Sequence, residues 1–217
     1  MSTPLRPAAA CLTRASITSS LKVELRRLTR SGLGLGVLVG FAFFGLSGPV
    51  LSIYMPEILG AAASTDQLAI SASQATPADA ISLFNQSAMQ LGLIVTVAVA
   101  ITSIGWDTRP GSSIFYRTRV HRLSTVLLPR LIIDWLIALA TYSCGLLLAV
   151  VVTASAIGRP PAGMVVSTWI ACGLYIVMAM SIGHLIAASL RRTTTAIALT
   201  TLLVLVLPVM NQVPGTS

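Results

Sequence analysis

The residues best suited to chemistry are concentrated in one polar segment, residues 107–122, which reads DTRPGSSIFYRTRVHR. It carries four arginines, one histidine and one aspartate, and apolar runs flank it on both sides. A charged segment between two apolar runs can fix the orientation of a chain in a membrane, bind anionic lipid headgroups or dock to a cytoplasmic protein. None of these three roles requires a reaction.

The pattern within this segment favours docking to a protein. Pro110 and Gly111 predict a turn, and Ser112 or Ser113 can cap a short helix that follows. Aromatic and arginine side chains are the usual anchors of protein interfaces, and lipid binding alone would not need the turn. The residues predicted to contact the partner are Gly111, Ser112, Ile114, Phe115, Tyr116, Arg117, Arg119 and Arg122.

Two further ionisable residues, Asp134 and His184, lie inside apolar runs. Asp134 follows Arg130 by four residues, so the two side chains can meet on one helical face at the level of the headgroups. An ionisable group inside a membrane span is costly to bury and is a functional candidate by default. Both residues lie near the end of a run, where water reaches, and we therefore expect structural roles for them.

Motifs for catalysis are absent from the sequence. There is no GxxxxGK[ST] phosphate loop, HExxH, paired CxxC or GxSxG. The three cysteines, Cys11, Cys144 and Cys172, are too scattered to predict a disulfide framework or a metal site. Because no nucleophile is paired with a base either, the chain is predicted not to be an enzyme and to hold no cofactor of its own.

The composition indicates an integral membrane protein. Of the 217 residues, 55% are hydrophobic and only 9% are charged, with a mean hydropathy of +0.87, whereas a soluble domain carries about 25% charged residues. The net charge of +8 would suggest nucleic acid in a soluble protein, but here the arginines flank apolar runs and indicate lipid headgroups and topology. Backbone groups in a bilayer must be bonded within their own segment, so the spans are predicted to be helices.

The elements that must position these residues follow from the apolar runs. We predict a disordered cytoplasmic tail over residues 1–16 and a transmembrane domain over 31–217. An extracellular loop is expected at 56–87, where TPADAISLF predicts a short helix that starts at Pro77, and a tight turn at 158–163. Five membrane spans are predicted, at residues 32–53, 88–106, 131–157, 164–190 and 194–210.

The arm before the first span, residues 17–30, has leucines on one helical face and basic residues on another. This pattern predicts an amphipathic helix that lies in the membrane interface, although a basic flank that only fixes topology is the alternative. The polar residues of this interfacial helix are Lys22, Glu24, Arg26, Arg27 and Arg30. Gly32, Gly36 and Gly40 then follow at intervals of four, which predicts a face that another helix can approach closely.

The distribution of basic residues predicts the orientation. With five spans, the arm, the second connection and the fourth connection fall on one side and hold thirteen of the fourteen lysines and arginines, and Arg159 alone falls on the other. The positive side is predicted to be cytoplasmic, so the N-terminus is inside and the protein is a multi-pass protein of the plasma membrane. The C-terminal end would then be outside, and we expect a sixth helix that the sequence lacks.

The segment SIGWDTRPGSSIFYRTRVHRLSTVLLPRLI resembles the connection between the second and third spans of ABC-2 type transporter permeases. FFGLSGPVLSIYMPEIL, LFNQSAMQLGLIV and the basic arm LKVELRRLTR are also similar to actinobacterial members. The similarity extends over about residues 17–210 in architecture. The sequence departs from the family where glutamates are usual, since Asp107, Thr108 and Arg109 stand there instead.

The resemblance implies an all-α membrane bundle of the ABC-2 type that forms the translocation path of an exporter. A separate ATPase subunit would bind ATP and Mg, and residues 111–122 would be the coupling helix that docks to it. A second permease chain, identical or homologous, would pack near the first and fifth helices. Besides membrane lipid, these two proteins are the expected partners, and nucleic acid is not.

Two other classes of function fit parts of the sequence. GWDTRPG faintly resembles the motif between the second and third helices of major facilitator carriers, which would make the chain a fragment of a proton-coupled secondary carrier. The glycine-to-aspartate spacing is too short for that motif, however, and five spans are too few. A membrane anchor or assembly protein, which binds its partner through the loop at 56–87, is the remaining alternative.

Overall fold

The fold is all-helical in the part of the chain that the computed structural model describes. This part comprises residues 32–66, 75–104, 124–190 and 192–210, together with Lys22, Leu25, Arg26 and Arg30 of the arm. No strand occurs among these residues. The helices are α1 (Leu33–Asp66), α2 (Pro77–Ser87), a π-helical turn (Ala88–Gly92), α3 (Leu93–Ile104), α4 (Ser124–Ala156), α5 (Ala162–Leu190) and α6 (Thr193–Met210).

Within the described parts of the chain, four helical stretches have the length and the apolar composition needed to cross a membrane. They are Leu33–Ile58, Pro77–Thr102, Leu128–Ala156 and Ala162–Leu190. The apolar stretch of α6, Thr193–Val206, is shorter and spans about 20 Å at 1.5 Å per residue. The prediction of an all-α fold is therefore confirmed for the described residues, and the four helices agree with a multi-pass membrane protein, whereas the count of five spans and the ABC-2 type bundle stay predictions.

The polar interval at residues 56–87, expected as a loop, is largely helical. Helix α1 continues through Pro49 and Pro56 to Asp66, as proline-containing helices do when neighbouring groups satisfy the freed carbonyls. The short helix predicted at Pro77 is present, but it does not end at Ser87, because the chain runs through the π turn directly into α3. The second span therefore begins eleven residues earlier than the predicted position 88.

A capping box fixes where this second helix begins. The amide of Asp79 donates to Thr76 Oγ1 (3.3 Å), and the amide of Thr76 donates to Asp79 Oδ2 (3.1 Å). Pro77 occupies the first helical turn, where its missing N–H costs nothing. Two amides that would otherwise lack partners at the helix end are thus satisfied.

The tightest packing in the bundle joins α1 to α4, the helix pair with the most extensive contact. A Cβ added at Gly45 would collide with the carbonyl oxygen of Gly145, and one added at Gly145 would lie 2.7 Å from the carbonyl oxygen of Phe41. Glycine is therefore required at both positions, because the two backbones touch there. The rings of Phe41 and Phe84 pack against Tyr142, one edge-on and one stacked, each with centroids 5.9 Å apart.

The π turn divides the second span into two parts with different neighbours. Before the turn, α2 packs against α1 and α4, and after it α3 packs mainly against α5 and α6. A π turn holds more residues than an α turn, so it changes the direction in which the following side chains point. One continuous helix can therefore contact both halves of the bundle.

Charged side chains divide between the two ends of the bundle. Gly34, Ala100 and Asp134 line one cavity, so the start of α1, the end of α3 and the start of α4 meet at one end. Pro77 and Gly158 approach each other at the opposite end. Among the described residues, the first end carries Lys22, Arg26, Arg30, Arg130, Arg192 and one acidic residue, Asp134, and the second carries Glu57, Asp79 and Arg159. We call the first the basic end.

Candidate functional site

The predicted coupling helix lies outside the described residues. This holds for Gly111, Ser112, Ile114, Phe115, Tyr116, Arg117, Arg119 and Arg122 alike. The described helices that flank it are α3, which ends at Ile104, and α4, which begins at Ser124. Both of these positions belong to the basic end, so the connection from 105 to 123 starts and finishes there.

The interfacial helix is described at four positions only. Lys22, Leu25, Arg26 and Arg30 are helical and exposed, which agrees with a helix outside the bundle, while Glu24 and Arg27 lie outside the described residues. Gly32 has φ of +70°, a left-handed conformation that separates the arm from α1. The placement of this arm in the membrane interface stays a prediction.

The glycine face predicted from spacing has no neighbouring helix packed against it among the described residues. An added Cβ at Gly32, Gly36 or Gly40 would meet no atom within 4 Å among the described residues. The glycines that do touch a neighbouring helix backbone are Gly45, Gly48 and Gly145. The spacing of four residues thus predicts a glycine face on α1, but the glycines that pack against other helices of the described bundle are different ones.

A cluster of buried ionisable side chains lies at the basic end, between α4 and α5. Asp134 and Arg130 project from α4, His184 projects from α5, and their exposed fractions are 5%, 9% and 6%. The Nε2 atom of His184 lies 3.6 Å from Oδ2 of Asp134. This separation is too long for a direct hydrogen bond, although it is short for an electrostatic contact between buried groups.

Asp134 also lines a small cavity beside the pair. The walls come from α1, α3, α4 and α5, and they include Gly34, Val37, Thr96 and Met180. The cavity measures about 20 Å³, which is enough for one water molecule. The hydroxyl of Thr96 donates to the carbonyl of Gly92 at 2.7 Å, so its oxygen can still accept a bond from such a water.

The structure corrects the expectation that water solvates Asp134 and His184 near the helix ends. Each lies six residues, or about 9 Å, inside its apolar stretch, and protein surrounds both. The sequence does carry a signal for this pairing. Asp134 stands 24 residues before the turn glycine Gly158 and His184 stands 26 after it, so two antiparallel helices bring them to the same depth.

A second set of polar contacts joins the helices further from the basic end. The hydroxyl of Tyr142 donates to Asn85 Oδ1 at 2.9 Å, which links α4 to α2. The indole N–H of Trp169 donates to Ser143 Oγ at 2.8 Å, and the hydroxyl of Tyr175 donates to the carbonyl of Val204 at 3.1 Å. Such bonds hold spanning helices together where the hydrophobic effect does not.

The chemistry open to these sites is binding and proton exchange. No group of three metal-ligating side chains occurs among the described residues. No family model, curated protein or solved structure matches this chain. Function must therefore be inferred from the residues and from their arrangement.

Proposed function

We propose that the chain is the permease subunit of an ABC-2 type transporter and acts as an exporter with a separate ATPase subunit. The proposal rests on the sequence resemblance and is supported by the all-helical bundle with four long apolar helices. A protein of this kind needs a path across the membrane and a contact for its motor, and it needs no phosphate loop of its own. The sequence has none.

One observation carries the proposal. The connection at 105–123, with its four arginines and the aromatic pair Phe115 and Tyr116, joins α3 to α4 at the basic end. The basic arm enters the bundle at the same end, at Gly32. Under the positive-inside rule this end is cytoplasmic, where an ATPase would be available.

The coupling follows from the connectivity. A partner that grips residues 111–122 pulls on α3 and α4, and α4 has its most extensive contact with α1. ATP and Mg bound by the partner would then drive a rearrangement of packed helices that opens the path alternately on the two sides. A second permease chain would complete the path, and the open face with Gly36 and Gly40 is available to it.

The docking step can be tested with a matched pair of double variants. The full chain is co-expressed with each candidate phosphate-loop ATPase of the same genome, and co-purification and ATP hydrolysis are measured. Phe115→Ala with Arg119→Ala should reduce both by at least about tenfold, because aromatic and arginine anchors dominate interfaces. The control is Phe43→Ala with Arg159→Ala, which removes the same residue types from exposed positions elsewhere.

Unchanged co-purification in the Phe115 and Arg119 variant would refute the docking role. Sidedness is a second, independent test. A single cysteine at Ser112, in a chain whose natural cysteines are replaced, should react with a membrane-impermeant maleimide only after the cells are opened. A cysteine at Arg159 should react in intact cells. Labelling of position 112 from outside would exclude the proposed function.

A further inference from the structure

We infer that Asp134 and His184 form a proton-binding site between α4 and α5, in which uptake of a proton draws the two helices together at the basic end. The ligand is a proton held between an imidazole and a carboxylate, with a water molecule in the adjoining cavity. The inference stands on geometry within the bundle and does not depend on the proposed function.

The histidine is buried but has no hydrogen-bond partner among the described residues. Its side chain is 6% exposed, and neither Nδ1 nor Nε2 makes a hydrogen bond. A buried polar group without a partner is rare in proteins and costs free energy, which points to a bound water or proton or to a second conformation. The nearest charged atom, Asp134 Oδ2, is 3.6 Å from Nε2, within reach of a bond after a small shift.

The charged and titratable groups around the pair are few. Helix α4 contributes Asp134 itself and Arg130, one turn earlier and also buried. The helices packed against α5 at this level, α3 and α6, contribute none in their described parts, and α1 contributes none at this end. Among the described residues, His184 therefore contacts one carboxylate, with one guanidinium a helical turn further along α4, and the charge of the imidazole decides whether it attracts Asp134.

A proton fits the site better than a metal ion does. Metal ions need about four or more oxygen, nitrogen or sulfur ligands, and the cavity walls beside Asp134 are mostly apolar, with Val37, Ala100 and Ile137 among them. Histidine, by contrast, is the side chain whose charge changes at physiological pH. The cavity beside Asp134 has room for about one water, which would solvate the carboxylate and not the ring.

Protonation has a mechanical consequence. An imidazolium N–H donates to a carboxylate at about 2.7–2.9 Å, so the present gap of 3.6 Å would shorten by about 0.7–0.9 Å. Asp134 is on the helix that follows the connection at 105–123, and His184 is on the helix that leads to Arg192. Uptake of the proton therefore draws α4 and α5 together at Asp134 and His184, and its release lets the two helices separate there.

Nuclear magnetic resonance of the full chain in lipid nanodiscs tests this inference directly. The chain contains two histidines, His121 and His184, so labelled imidazole nitrogens give two sets of signals. His121→Gln assigns them and serves as the control, because it keeps both His184 and Asp134 in the chain. As the sample is acidified, proton uptake should appear as conversion of the His184 ring to imidazolium with a strongly deshielded Nε2 proton, the mark of a short bond to a carboxylate.

Asp134→Asn removes the negative charge that faces the ring. It should abolish both the imidazolium signal of His184 and the deshielded proton. An imidazole at 184 that stays neutral throughout the acidification in the natural chain would overturn the inference. So would an imidazolium signal that Asp134→Asn leaves unchanged, since the carboxylate would then not take part. The natural chain and the His121 control suffice for the first result even if the Asp134 variant does not fold.

Discussion

Replacement of Gly145 by alanine tests whether the backbone contact between α1 and α4 holds the bundle together. The added methyl carbon would lie 2.7 Å from the carbonyl oxygen of Phe41 and 3.1 Å from both its carbonyl carbon and its Cβ. Ordinary contact begins near 3.4 Å, so the helices must separate by about 0.7 Å at this point. A backbone oxygen inside a helix cannot rotate away, and the displacement is therefore shared by the whole helix pair.

The expected cost follows from two opposing terms. Overpacking a close contact costs about 2–3 kcal/mol when the neighbour is backbone, and alanine in place of glycine returns about 1 kcal/mol through its helix propensity. The free energy of unfolding should fall by about 1–2 kcal/mol. For a chain of this size that corresponds to a decrease in Tm of about 2–8 °C.

Gly36→Ala is the matched control, because the same exchange on α1 meets no atom within 4 Å. It should leave Tm unchanged or raise it slightly. Both variants are purified in detergent and unfolded by heat and by SDS titration, with helicity followed by circular dichroism. Equal stability of the Gly145 variant and the natural chain, or an equal loss in the Gly36 variant, would refute the assigned packing.

Three smaller effects are also expected. Tyr142→Phe keeps the aromatic stack but loses the hydrogen bond to Asn85, so it should lower the free energy of unfolding by about 0.6–1 kcal/mol in the same SDS titration. In an Asn85→Ala background the same substitution should have no effect. Thr76→Ala removes half of the capping box with Asp79 and should cost about 1 kcal/mol, seen as faster hydrogen exchange in the first turn of α2 only; exchange unchanged there would contradict the cap. Gly32→Ala places a Cβ on a left-handed residue and should cost about 1 kcal/mol, with Gly36→Ala as the unstrained comparison and equal Tm values as the contrary result.

The long helices were predictable because apolar runs and turn residues determine them locally. The GRPPAG turn predicted the break between α4 and α5, and the structure ends α4 at Ala156 and begins α5 at Ala162. The end of α1 was not predictable from the same signals. Pro56 and Glu57 look like a stop in a soluble chain, whereas a long membrane helix can continue past both.

The candidate site was harder to predict, since it depends on contacts between distant residues. Asp134 and His184 are separated by fifty positions, and only the packing of α4 against α5 brings them together. The close contacts of the glycines with neighbouring helices could not be predicted from their spacing in the sequence for a related reason. Periodicity shows which residues share a face, but Gly36 and Gly45 differ in whether a neighbour covers that face.

The π-helical turn at Ala88–Gly92 has a consequence for the tolerated length of the chain. A π turn holds one residue more than an α turn, so deletion of the exposed residue Gln90 would give a regular helix with little rotation of α2 relative to α3. An inserted residue would instead rotate α2 by about 100°, and Phe84, whose backbone lies against Gly48, would then face away from that glycine. Loss of one residue at this turn should thus be accepted, whereas gain of one residue should uncouple one half of the protein from the other.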